Sequence, residues 1–261
     1  MPTALTIAGS DSIAGAGIQA DLKTFAALGV YGVCAVTAVT AQNTAGVTDV
    51  FAMPSDLVRS QIAAVAEDAA IEAVKTGMLA TADIVRVVAD ASERFHWRHL
   101  VVDPVMRATH SAGRTLLADA AVSILKSRLL PLAAVVTPNI FEAAVLSGVR
   151  VDSLAAAREA AQRIFELGPR AVVVKGGHLT GPDAVDLLFH AGTVTEFAAP
   201  RAVTADAHGT GCTFASAIAA GLALGDDIPT AVGRAKRYVS GALGGSLHVG
   251  RGARILNHFW E

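Results

Sequence analysis

Apolar residues recur along the 261-residue chain in two spacings. Short, nearly unbroken runs lie at Leu5 to Ala8, Val33 to Val39, Ala73 to Thr76, Leu100 to Val102, Ala133 to Val136 and Ala171 to Val174. Their length and β-branched content predict strands buried on both faces. Between them, apolar spacing near the helical period predicts helices over Ala16 to Leu28, Pro54 to Asp68, Ala82 to Phe95, Ala118 to Leu129, Glu142 to Leu146 and Leu154 to Leu167, several opened by Ser, Thr or Asp. Such alternation implies βαβ units, hence an α/β three-layer sandwich: a central, mainly parallel sheet with helices on both faces. The run Ala184 to Phe189, the turn His190-Ala191-Gly192 and the run Thr193 to Phe197 read instead as an antiparallel hairpin. Two further helices follow, roughly Thr213 to Leu224 and Pro229 to Leu243. Without a repeat, low-complexity tract or linker, residues 1–261 read as a single domain.

Composition narrows the partners. Hydrophobic residues make up 52% of the chain and charged ones 17%, with a formal net charge of −2, which supplies a core and argues against disorder. No Lys/Arg cluster or aromatic-basic stripe suggests nucleic acid. Thr24 to Thr48 is uncharged, but glycines and polar residues divide it into a helix end and a strand, so no membrane span is expected. The N-terminus lacks the pattern of a secretory signal, and Cys34 and Cys212 form no disulfide framework, which fits the cytoplasm.

In open parallel sheets ligands bind beyond the carboxyl ends of the strands, so polar residues there carry most weight. Asp103 follows one strand, Asn139 and Glu142 another, and Lys175-Gly176-Gly177-His178 a third. Asp103 and Glu142 are carboxylates suited to Mg²⁺, directly or through its waters, and Lys175 to phosphate charge. The run His208-Gly209-Thr210-Gly211-Cys212-Thr213 opens onto an apolar helix. Glycines allow close backbone approach, and the helix start offers unpaired N–H groups, a setting for phosphate. A thiol in that positive field is expected to have a lowered pKa and to accept a proton near neutrality. Thr40-Ala41-Gln42-Asn43-Thr44 reads as a loop after the second strand, whose amides could pair with a heterocycle or with backbone. Gly15-Ala16-Gly17-Ile18-Gln19-Ala20 loosely matches a dinucleotide pattern, but six residues separate it from the strand end, which favours a substrate loop; no P-loop motif occurs. Met78 could cover an aromatic ligand or fill the core, and His208 could orient its turn or lie exposed.

Ala8-Gly9-Ser10-Asp11, Gly15 to Thr24, Ala41 to Thr44, Lys75 to Leu79, Val102 to Met106, Thr137 to Asn139, Lys175 to His178 and His208 to Thr213 together resemble the ribokinase-like superfamily. Within it, they resemble the bacterial hydroxymethylpyrimidine/phosphomethylpyrimidine kinase family of thiamine biosynthesis. The resemblance implies ATP and Mg²⁺ as co-substrates, usually a homodimer, and phosphorylation of 4-amino-5-hydroxymethyl-2-methylpyrimidine and then of its monophosphate. It implies roles as well. Gln42 would bind the aminopyrimidine and Met78 line its pocket, with Gly15 and Asp21 on the substrate side. Gly209, Thr210, Gly211 and Cys212 would form the anion hole, with Cys212 as base. Asn139, Lys175 and Lys236 would face ATP, and Asp103 and Glu142 the metal.

The chain departs from the family pattern at Ile13-Ala14, at Arg107 to Arg114 and at Asp206. A pyridoxal-type kinase is the nearest rival reading. A non-catalytic pyrimidine sensor and a nicotinamide oxidoreductase come after it.

Overall fold

The computed structural model describes residues 1–106, 117, 119–177, 181–201 and 207–260. Its elements run β1 (Thr3–Asp11), α1 (Gly17–Ala27), β2 (Tyr31–Asn43), β3 (Gly46–Ala52), α2 (Ser55–Ala66), β4 (Ala73–Thr76), α3 (Ala82–Phe95), β5 (Leu100–Val102) and α4 (Asp119–Ile124). They continue with β6 (Val135–Val136), α5 (Ile140–Ser147), α6 (Leu154–Phe165), β7 (Ala171–Val174), β8 (Asp183–His190), β9 (Thr193–Pro200), β10 (Ala207–His208), α7 (Thr210–Ala223), α8 (Ile228–Gly244) and β11 (Arg254–Ile255). A nine-stranded sheet has the order β3-β2-β1-β4-β5-β6-β7-β8-β9. Pairings from β2 through β7 are parallel, whereas β3 at one edge and β8 and β9 at the other are antiparallel.

Alternation along the strands feeds two cores. Leu5 and Ile7 of β1, Leu100 and Val102 of β5, and Val172 and Val174 of β7 face one cluster, with Val58, Ile62, Val85, Val88 and Ile164 from α2, α3 and α6. Ala4, Val101, Ala171 and Val173 face the other, against Phe25, Phe214, Ile218 and Val232 from α1, α7 and α8. A period of two with both faces apolar is what a helix-covered parallel sheet requires. The chain leaves β1 toward β2 and later returns to β4 on the opposite side of β1. That reversal opens a crevice at the carboxyl ends of the central strands.

Three local expectations are corrected and one pairing is new. β2 runs through Gln42 and Asn43 rather than ending before them, because β3 pairs with it, Gln42 opposite Val47, and Asn43 Oδ1 accepts the N–H groups of Ala45 and Gly46 in the turn. Over the helix predicted to Leu129, α geometry stops at Ile124 and a π turn occupies Leu125–Leu129. α7 begins at Thr210, which moves Gly211 and Cys212 into its first turn. β10 and β11 pair in parallel and bring the C-terminal segment against the glycine turn, a two-residue ladder too short to leave a periodic signal.

Candidate active site

Backbone shapes the centre of the crevice. Gly209 caps α7 with φ 91°, and a Cβ there would lie 1.8 Å from the Gly15 carbonyl oxygen. Both the left-handed conformation and this approach restrict the position to glycine. Helical bonding starts with Thr213 N–H to Gly209 O (2.9 Å), so the amides of Gly211 and Cys212 precede the first intrahelical donor. They line a cradle at the positive end of a helix buried along nearly its whole length.

The expected ATP side meets this cradle directly. A Cβ on Gly211 would lie 3.1 Å from Lys175 Nζ and 3.7 Å from Asp103 Oδ2. Lys175 donates to Asp103 Oδ1 at 2.8 Å, and Thr137 Oγ1 reaches the same oxygen at 3.3 Å. Asn139 and Glu142 form a capping box on α5: Glu142 N donates to Asn139 Oδ1 (2.9 Å) and Asn139 N to Glu142 Oε2 (2.8 Å). Burial pushes the Glu142 carboxyl up to about 7 and Asp103 adds to it, although Lys175 and backbone amides pull the other way. Two carboxylates crowded in this way, both hard oxygen donors, suit a divalent cation whose remaining positions are filled by water and phosphate. Among the described residues no three His, Cys, Asp or Glu side chains form a metal cluster.

Cys212 sits in the first turn of α7, partly exposed. The expectation of a lowered pKa is corrected. Loss of solvent around the sulfur pushes the thiol up to about 11, and Asp21 and Asp103 add to the rise; the Lys75 cation and the Gly17 amide oppose it without prevailing. Asp21, expected on the substrate side, is also corrected. It is fully buried, and its two carboxylate oxygens bind Lys75 Nζ at 2.8 Å and accept Thr6 Oγ1 (2.6 Å) and Ser216 Oγ (2.7 Å). Burial works against the Lys75 charge, but Asp21 outweighs it and holds the ammonium protonated. This ion pair ties α1, β1, β4 and α7 together beneath the cradle.

Lys236, expected to face ATP, spends its ammonium on Ala184 O (2.7 Å) and Asp186 Oδ2 (2.8 Å), while Asp186 Oδ1 accepts Gly176 N–H (2.9 Å). Through Asp186 it holds β8 to the Lys175-Gly176 turn. On the ring side, Met78 is buried 3.6 Å from where a Gly9 Cβ would lie. Gly15 donates its N–H to Asp11 Oδ2 at 3.0 Å. Gln42 lies half-buried with its side-chain amide 2.7 Å from His208 Nε2. His208, left between an orienting role and an exposed one, is buried and contacts Asp11 Oδ2 at 2.9 Å. Asp11 itself was missed. It gathers the Ile13, Gly15 and Ala16 amides as well, and its only signal was a carboxylate at a strand end beside glycines. His178, Arg107 to Arg114 and Asp206 lie outside the described residues.

The family model for phosphomethylpyrimidine kinase matches residues 11–257. A hydroxymethylpyrimidine/phosphomethylpyrimidine kinase from Streptomyces coelicolor is 48% identical over 99% of the chain and 95% of its own length. A thiamine biosynthesis bifunctional protein from Geobacter sulfurreducens is 48% identical over 97% of the chain, which spans only 51% of that longer relative. Among solved structures, an ADP complex of Bacillus subtilis pyridoxal kinase superposes with a TM-score of 0.92 at 37% identity, covering 99% of the chain and 97% of its own.

Proposed function

The chain belongs to the phosphomethylpyrimidine kinase family, and on that premise we propose how its cleft divides the work. The activity is ATP-dependent phosphorylation of 4-amino-5-hydroxymethyl-2-methylpyrimidine to its monophosphate and then to the diphosphate, in thiamine biosynthesis. One observation carries the assignment of the reaction centre: the Gly209–Cys212 cradle touches the Lys175–Asp103 pair, so an anion site and a phosphate-neutralising cation share one spot.

In this reading the γ-phosphate sits in the cradle, and the hydroxymethyl oxygen attacks it in line. Charge spreading over the equatorial oxygens meets the Gly211 and Cys212 amides and the Lys175 ammonium. Asp103 and Glu142 would hold Mg²⁺, which would supply neutralisation of phosphate charge. Gln42 pairs with the ring and Met78 lies against it. With its pKa near 11, Cys212 holds its proton at neutral pH in the resting protein. To act as base it must first release that proton to solvent, and the thiolate so formed, opposite the Lys75 cation, then takes the substrate proton as the oxygen bonds to phosphorus. In the second transfer the nucleophile is a phosphate oxygen already ionised, and no base is needed.

Mass-resolved analysis of products formed from the aminopyrimidine with ATP and Mg²⁺ tests this reading. Successive mono- and diphosphate peaks are expected; ATP hydrolysis without a phosphorylated pyrimidine contradicts it. A second reading, phosphorylation of pyridoxal, draws on the close superposition with a pyridoxal kinase. Higher kcat/KM for pyridoxal than for the aminopyrimidine would select it.

A further inference from the structure

Three polar side chains around the ring pocket cannot all be arranged freely. The Asp11 carboxylate accepts N–H groups from Ile13 at Oδ1 (3.1 Å) and from Gly15 (3.0 Å) and Ala16 (2.8 Å) at Oδ2, and His208 Nε2 lies 2.9 Å from Oδ2. Burial opposes ionisation of Asp11, but the His208 and backbone hydrogen bonds prevail and hold it below the usual carboxylate range. An ionised carboxylate only accepts, so His208 Nε2 must carry the proton. In the structure it is Gln42 Nε2 that faces this same Nε2, at 2.7 Å, one donor against another. Facing an N–H, only the amide oxygen makes a hydrogen bond.

The other end of the amide agrees. Thr40 Oγ1 faces Gln42 Oε1 at 3.2 Å, but it has one proton and Ser10 O takes it at the shorter distance of 3.0 Å. Its lone pairs remain to accept an N–H, so the NH₂ of Gln42 belongs on the Thr40 side. Turned over about its Cγ–Cδ bond, the amide puts Oε1 toward His208 and Nε2 toward Thr40, both contacts become hydrogen bonds, and its outer edge keeps one lone pair and one N–H side by side. That edge matches an exocyclic amine adjacent to a ring nitrogen, as a glutamine matches adenine.

We infer that His208 is a positioning residue for ring recognition: its single Nε2–H, shared between Asp11 Oδ2 and the Gln42 amide oxygen, locks the amide in the one orientation that pairs with an amino-substituted pyrimidine. The inference rests on the proposed role of Gln42. A 4-oxo analogue, with a carbonyl where the amine stood and an N–H in the ring, needs the amide reversed. Reversal drives NH₂ against His208 Nε2–H, and the analogue is rejected.

The test compares kcat/KM for 4-amino- and 4-oxo-5-hydroxymethyl-2-methylpyrimidine in wild type, His208→Leu, His208→Gln and Gln42→Leu. Because the readout is a ratio of two substrates on one protein, loss of folded material cancels. Wild type should prefer the amino compound by a factor on the order of 10⁴, as sites that pair with a polar substrate group do. His208→Leu frees the amide and should narrow that preference at least about tenfold, mainly through KM, while His208→Gln keeps a donor and restores it. Equal loss with both substrates in His208→Leu, leaving the ratio unchanged, overturns the inference. If Gln42→Leu leaves the ratio at the wild-type value, the role of Gln42 itself falls and the inference with it. A changed ratio in Gln42→Leu beside an unchanged one in His208→Leu sinks the His208 lock alone.

Discussion

The proposed phosphate cradle and the proposed ring pocket adjoin at His208-Gly209 but are built differently. The cradle is backbone: Gly209 against the Gly15 carbonyl, Gly17 with φ 59° where a Cβ would meet Gly9 O at 2.3 Å, and amides at a helix start. The ring pocket is side chain: Gln42, His208, Asp11 and Met78. Phosphoryl transfer presents the same oxygens whatever the acceptor, and a site of fixed amides serves it without choosing among acceptors. Choosing a heterocycle requires a donor and an acceptor in a set order, which only oriented side chains provide. The match to a pyridoxal kinase at TM-score 0.92, beside 48% identity to a pyrimidine kinase, fits a shared fold and cradle with the acceptor decided elsewhere.

The largest effect should come from beneath the cradle. Asp21→Asn leaves Lys75 charged and unpaired in the interior, a loss of about 3–5 kcal/mol. Denaturant unfolding should show it; a change below about 1 kcal/mol would mean that the pair does not support the cradle. Next comes the thiol. Cys212→Ala should slow the first phosphorylation by about a hundredfold, the lower end for general base catalysis, and the second much less. Equal losses in separate assays of the two substrates would show that Cys212 acts on the cradle's shape and not on the proton.

The smallest effect is seen in acid. Thr213 Oγ1 contacts His258 Nε2 at 3.0 Å, joining α7 to the C-terminal segment, and burial drives the His258 pKa down to about 4. Between that value and the unfolded value near 6.5 the unfolded chain binds the additional proton, so stability falls as pH drops through this window. The full loss is at most about 3 kcal/mol, reached below pH 4. His258→Gln should flatten the pH dependence of the melting temperature between pH 6.5 and 4. An unaltered slope would remove His258 from the cradle's support.

Much of the layout was legible in the chain. The apolar runs Ala73 to Thr76, Leu100 to Val102 and Ala171 to Val174 and the helix Ala82 to Phe95 have the bounds of β4, β5, β7 and α3, because buried parallel strands and capped helices leave local, periodic signals. The glycine turn before α7 was equally visible, since positive φ and close approach demand glycine in the sequence itself. What escaped depends on distant partners. Asp21 looks like a helix surface residue until Lys75, Thr6 and Ser216 surround it. The rise in the Cys212 pKa comes from enclosure by those elements, not from its own turn. Asp11 and His208 are 197 positions apart, and no spacing rule joins them.

The most direct test follows both phosphorylations, resolved by product mass, in wild type and Gly209→Ala. A methyl group at Gly209 must displace the Gly15 carbonyl or the cradle amides, so both steps should slow together, by about 10²–10³ if the cost equals the loss of one transition-state donor. The preference for the amino over the oxo ring should stay within about threefold of wild type, well inside the discrimination that ring pairing provides. Loss of ring preference with phosphoryl transfer intact, or slowing of one step alone, would contradict a cradle that transfers without choosing.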